Sequence, residues 1–256
     1  MLLMTTGAGA AIAGVFGLLL GSFLNVVAYR LPRGESLVTP ASHCPGCDTP
    51  IKPYDNVPVL SWLLLRGRCR TCRTTIAWRY PFVELLTALL MVAVVLVYGV
   101  GEEVWLGLAF VLLLVPIAVI DLDTRTIPNK LTLAGAIVAP AILLVTDPAA
   151  IPEHLIAGVA AGGFLFIAAI AYPGGMGMGD VKLAFVMGLF LGRDVAPAIF
   201  VGLVAGTLVG AVIMARKGVK EGRKTAVPFG PFLAFGGLVG LLAGEPIVDW
   251  YLNTFA

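Results

Sequence analysis

Long apolar runs alternate with short polar breaks along this chain. The runs cover roughly residues 8–29, 82–99, 104–120, 131–146, 154–172, 180–192, 195–214 and 229–244. Most approach the ~20 residues an α-helix needs to cross a bilayer. The longest polar stretch, residues 30–80, separates the first run from the second. The pattern predicts an all-α polytopic membrane protein of about eight transmembrane helices with a small insert after the first. Its expected parts are the first transmembrane helix (1–29), the insert (30–80) and a seven-helix membrane core (81–256). Composition agrees, because 59% of residues are hydrophobic and 12% charged, against ~25% charged in a soluble domain. That excludes a water-soluble globular enzyme. No Lys or Arg precedes Arg30, so the first run lacks the basic flank of a secretory signal and is expected to be a retained helix. Gly158/Gly162 and Gly202/Gly206/Gly210 recur at four-residue spacing, which suits close packing of membrane helices. No internal repeat or low-complexity tract stands out.

Charge adds a direction. If the N-terminus lies outside, one set of breaks holds residues 30–80, 121–130, 173–180 and 215–228. With Lys182 at the edge of its helix, that side carries 16 of the 17 Lys and Arg residues. Basic residues mark cytoplasmic loops, so the insert and the Gly-rich break before Asp180 are both expected to face the cytoplasm.

The insert contains all four cysteines as Cys44-Pro45-Gly46-Cys47 and Cys69-Arg70-Thr71-Cys72, separated by 21 residues. Two C-x2-C knuckles in a reducing compartment point to one tetrahedral zinc site. Four thiolates leave no open position, so the zinc is expected to be structural. An insert of this size buries little core, and the metal would supply much of its folding energy. Neighbouring Arg68, Arg70 and Arg73 are expected to favour the thiolates. His43, beside the first knuckle, is expected to be an exposed loop residue.

Acids inside a membrane protein are costly and commonly functional. Asp121 and Asp123 close the third run, in "IDLDTRTIPN", and Asp180 opens the sixth behind Gly177 and Gly179. Singly, each has a plain explanation. Asp121 and Asp123 mark an interface beside Arg125 and Lys130, and Asp180 caps a helix. Jointly they place acids at two helix ends on one face of the membrane. Two carboxyls held close together share a proton and can serve as base and acid. An ion transporter would set such a pair nearer the midplane on broken helices. Lys182 either orients an acid or substrate or snorkels to the interface. Glu84, an acid early in the second run, is a candidate for substrate contact. Asn25 and Asn129 are expected to bond backbone.

These stretches resemble a known family. Gly177-Met178-Gly179-Asp180 matches the G-x-G-D motif of intramembrane aspartyl proteases. "GSFLNVVAYRLPRG" from Gly21, "RYPFVELLTALL" from Arg79 and "PFGPFLAFGG" from Pro228 narrow the likeness to bacterial type IV prepilin peptidases. "IDLDTRTIPN" and the four cysteines fit the same pattern. The resemblance implies cleavage of prepilins and pseudopilins after the glycine that ends a basic leader and before an apolar stem. It also implies N-methylation of the new terminus with S-adenosylmethionine, although no motif marks a methyl-donor site. By motif, Asp121 and Asp180 would be catalytic, with Asp123 the competitor of Asp121. The expected location is the bacterial inner membrane, with the active site cytoplasmic, the bilayer and prepilins as partners, and no nucleic acid.

Overall fold

The structure is a computed structural model that describes residues 2–172, 175–218 and 227–255. Pro173 and Gly174 of the Gly-rich break, and Lys220, Arg223 and Lys224 of the last basic loop, lie outside the described residues. All eight apolar runs are helices: α1 (Leu2–Arg30), α3 (Arg79–Tyr98), α4 (Val104–Thr124), α5 (Asn129–Thr146), α6 (Ile151–Ala171), α7 (Met178–Leu191), α8 (Val195–Lys217) and α9 (Gly230–Phe255). A five-residue α2, Leu60–Leu64, lies in the insert. No strand occurs among the described residues, only two isolated bridges in the insert.

Seven stretches are long and apolar enough to cross a membrane, because α7 and α8 run together as Met178–Lys217. They are still distinct helices. Gly192, between them, has φ +55° and ψ −136°, a combination that breaks the helical path and suits only glycine. With its 14 residues, α7 is about 21 Å long, against ~30 Å of bilayer hydrocarbon. At the other extreme, α9 continues past the expected stop at residue 244. Pro246 lies inside it, as prolines do in membrane helices whose freed backbone groups find partners nearby.

The chain packs as two units, residues 1–101 and 102–256. In the first, α1 lies against α3. Gly21 sits so close that a Cβ there would come 2.8 Å from the Glu84 Cα. The side-chain amide of Asn25 donates to the Gly21 and Tyr80 carbonyls, so this asparagine bonds backbone as expected. In the second unit, α4 is the interior helix. Its Phe110, Leu114, Ile117 and Ile120 are fully buried. It packs on α9, while α7 packs on α6 and α8 on α9. Gly158, Gly162, Gly202 and Gly206 all lie at helix contacts, whereas a Cβ on Gly210 would meet nothing within 4 Å among the described residues. Large apolar side chains on the outer helix faces, such as Phe164, Ile167 and Phe200, are exposed. That suits a lipid solvent and not water.

Candidate active site and metal centre

Asp121 lies in the last turn of α4, which ends three residues later at Thr124. Arg125 takes a left-handed conformation (φ 53°) and donates its N–H to the Asp121 carbonyl. Asp180 lies in the first turn of α7. The rings of Phe110 and Phe190 stack with centroids 4.9 Å apart, pinning α4 to α7. Asp121 is eleven residues beyond Phe110 and Asp180 ten before Phe190, about 16 and 15 Å of helix rise. One stacked pair thus brings the two acids level. They are also tied at their own height. A Cβ on Gly179 would come 3.0 Å from Ile127 Cβ in the turn after α4, and Lys182 Nζ donates to Asn129 Oδ1 at 2.8 Å.

Both acids are buried, at 4% and 8% relative exposure, whereas Asp123 is exposed. Each holds one backbone donor. Gly230 N–H donates to Asp121 Oδ2 at 2.8 Å, and Gly177 N–H donates to Asp180 Oδ2 at 3.0 Å. Asp180 is therefore not the N-cap that its place after a glycine suggested. Gly177 is the N-cap, and Asp180, two residues inside the helix, reaches back to it. Asn129 differs from expectation too, since its side chain bonds Lys182 rather than backbone.

The cysteines form a second cluster, in the first unit. The four Sγ atoms lie within 4.8 Å of one another. Cys44 and Cys72 Sγ are 3.7 Å apart, close to the ~3.8 Å edge of a tetrahedron with ~2.3 Å zinc–sulfur bonds. The cluster can hold a metal ion. His43 lies outside it, exposed, with Nδ1 at 3.3 Å from the Ala41 carbonyl.

The two knuckles are copies of one another. Cys44 N–H donates to the Thr49 carbonyl and Cys69 N–H to the Thr74 carbonyl. The residue after each second cysteine, Asp48 or Arg73, has positive φ. One bridge closes each loop, His43 to Pro50 and Arg68 to Thr75. In each, a threonine hydroxyl lies near the second thiol, Thr49 at 3.3 Å from Cys47 and Thr74 at 3.1 Å from Cys72. The repeated C-x2-C-x-T was visible in the sequence at this eight-residue scale.

Hydrogen bonds, not arginines, set the thiols. The Thr74 hydroxyl and backbone N–H bring Cys72 down to about 6. The Cys72 and Thr71 N–H groups lower Cys69. Gly46 N–H pulls on Cys44, but burial and the neighbouring thiols outweigh it and push Cys44 up to about 11. Arg70 instead makes a two-pronged bond to Asp55, at 2.6 Å from Nη2. Its guanidinium holds the Asp55 carboxyl below the usual range.

Two family patterns cover these clusters. Residues 15–98 match the Bacterial Peptidase A24 N-terminal domain, and residues 108–215 match the Type IV leader peptidase family. Among curated proteins, the chain is 36% identical to a prepilin leader peptidase/N-methyltransferase of Aeromonas hydrophila, over 94% of this chain and 93% of that one. It is 34% identical to a protein of the same name in Bacillus subtilis (strain 168), over 93% and 96%. A third, from Neisseria gonorrhoeae, is 35% identical over 94% of each. The chain belongs to the type IV leader peptidase family.

No solved structure matches the chain. The first family segment falls within the unit that holds the cysteines, and the second holds both acids. Glu84, in the first segment, is buried and accepts the Val59 N–H at 2.7 Å. Val59 is bent into a tight turn with φ 59°, and Leu60 N–H reaches the Pro58 carbonyl. A β-branched residue is strained there, so Glu84 fastens the insert to α3. Sequence reasoning missed Gly230 as the partner of Asp121. Its only signal was the G-P-F run in "PFGPFLAFGG", which carries the resemblance without stating a role.

Proposed function

We propose that this chain is a membrane aspartic endopeptidase that removes the leader of type IV prepilins and pseudopilins, with Asp121 and Asp180 as its catalytic pair. The observation that carries this is two buried carboxyls brought level on α4 and α7, each with one oxygen held by a backbone N–H. The fixed oxygens orient the acids, and the pair shares one proton. The ionised acid takes a proton from water as the water oxygen bonds to the scissile carbonyl carbon. The protonated acid polarises that carbonyl, and a proton then passes to the leaving amine as the C–N bond breaks. Burial favours Asp121 over the exposed Asp123 for this role. Gly177 and Gly179 support it, the first as a donor and the second by fitting against Ile127.

The relatives' shared name also supports N-methylation of the new terminus, with S-adenosylmethionine as methyl donor. The four cysteines would hold zinc, whose part is to brace the insert and not to bind substrate. In the orientation favoured by the basic residues, the acids and the insert face the cytoplasm and the protein lies in the bacterial inner membrane. The break at Gly192 supports reading α7 and α8 as separate passes, as that orientation requires. The test is cleavage of a prepilin by purified protein in detergent. Asp121→Asn and Asp180→Asn should each abolish it, and full activity in either variant would refute the pair.

A further inference from the structure

The short helix of the cysteine insert presents its apolar side outward. In α2 the polar Ser61 is buried, and its hydroxyl donates to the Tyr54 carbonyl at 3.0 Å. Trp62 also points inward, with its ring against Gly67 and its Nε1–H donating to the Ile76 carbonyl at 3.1 Å. The outer face is Leu60, Leu63 and Leu64, at 59%, 57% and 83% relative exposure. These are positions i, i+3 and i+4, one stripe of a helix, and such a stripe is unfavourable against water.

Two observations say what covers it. The first is the height at which α2 is held. The 20 residues of α3 make about 30 Å of helix, the thickness of bilayer hydrocarbon. Glu84 lies five residues after Arg79, where α3 begins, about 7.5 Å along the helix. Its Oε2 accepts the N–H of Val59 at 2.7 Å, the residue from which α2 starts. Side chains lean towards a helix N-terminus, so this bond fastens the start of α2 at the end of a membrane helix and not out in water. Trp78 and Tyr80 at that end, with Tyr29 at the end of α1, are all exposed, as in the aromatic belt of a membrane–water boundary. The second observation is charge. Arg66 and Arg68 follow α2, both exposed, and neither pairs with an acid among the described residues, whereas Arg70 is taken by Asp55.

We propose that α2 is seated in the bilayer surface, with Leu60, Leu63 and Leu64 in the boundary between headgroups and acyl chains and with Arg66 and Arg68 on anionic lipid headgroups. Apolar side chains facing the acyl layer beside exposed arginines is how interfacial helices bind anionic membranes. One turn of helix is too small to hold a membrane alone. Here α1 and α3 supply the anchorage, and α2 fixes the height of the insert. Cys69 is five residues beyond Leu64, so the cysteine cluster is carried close to the lipid surface. The inference needs only the membrane-spanning helices and not the peptidase reading.

The experiment places the photo-crosslinker benzoylphenylalanine at Leu64, and separately at Leu63, in the full chain. The protein is reconstituted in phosphatidylcholine vesicles containing phosphatidylglycerol, and adducts are identified by mass spectrometry. A probe at Leu89, exposed in the middle of α3, serves as the control for reaction with lipid. Both leucine positions should give lipid adducts. Phosphatidylglycerol should exceed its share of the membrane about fivefold among them, the effect of one arginine near the surface. Arg66→Gln combined with Arg68→Gln should return it to its share while lipid adducts persist. Adducts to residues 102–256 in place of lipid overturn the proposal, as does the lack of any lipid adduct at Leu63 and Leu64 while Leu89 labels lipid. A phosphatidylglycerol excess that survives loss of both arginines overturns their part in it.

Discussion

The cysteine cluster and the acid pair are built on opposite plans. Each knuckle is made by eight consecutive residues that close on themselves through their own backbone, and three of the four cysteines are partly or fully exposed. The acids are buried, come from helices far apart in sequence, and are set by ring stacking and by a donor from a third helix. A local loop tolerates change elsewhere in the fold. A site assembled at long range depends on every contact between its helices.

The largest effect should come from the acids. Asp121→Asn and Asp180→Asn should lower cleavage at least about 10³-fold, in the upper range for loss of acid–base catalysis. Metal content should not change. Parallel loss of metal would break the separation between the two regions.

Next is Gly230→Ala. Its Cβ would lie 2.7 Å from Asp121 Oδ2, so the carboxyl must move. A misplacement of that kind costs about 10²-fold in rate, measurable as kcat/KM at unchanged helix content. An unaffected rate would show that the Gly230 donor does not position Asp121.

Cys44→Ser should act the other way. Metal content should fall and the insert should become sensitive to protease, while leader cleavage stays within a few-fold. Methylation should decline, because the relatives join both activities in one chain. Loss of cleavage equal to that of Asp180→Asn would merge the two regions into one functional unit.

The smallest effect separates cysteines within the cluster. In metal-free protein, alkylation of Cys72 should be half-maximal near its pKa of about 6, and that of Cys44 only towards about 11. The thiolate is the reactive form, so at neutral pH Cys72 should label first and the buried Cys44 last. Raising the pH should narrow the gap. Equal rates at neutral pH would show that Thr74 does not tune its neighbour.

Legibility followed the same division. The knuckles could be read because their ligands sit in two four-residue windows, although the duplicated threonines escaped notice. The eight helices could be read because lipid demands long apolar runs. Asp121 and Asp180 could be named, as acids in such runs are costly. Their arrangement could not. That Gly230 donates to Asp121, or that Phe110 meets Phe190, depends on helix register between segments, which no local pattern encodes. Even the expected cap at Asp180 was misplaced by three residues, because a glycine can serve as N-cap when the acid reaches back to its N–H.

Gly188 and Gly158 let the backbones of α7 and α6 touch, and the His154 ring meets the Leu189 carbonyl at 2.9 Å. Asp180 is thereby mounted on a two-helix unit, while Asp121 belongs to the pair that α4 makes with α9. During synthesis, Asp121 emerges first and its amide donor, Gly230, last. With Asp121 and Asp180 as the proposed catalytic pair, the nascent chain would hold one half of a protease until the final helix arrives. On that proposal catalytic competence would be the closing event of biogenesis, and a chain truncated before α9 would be inserted yet inert.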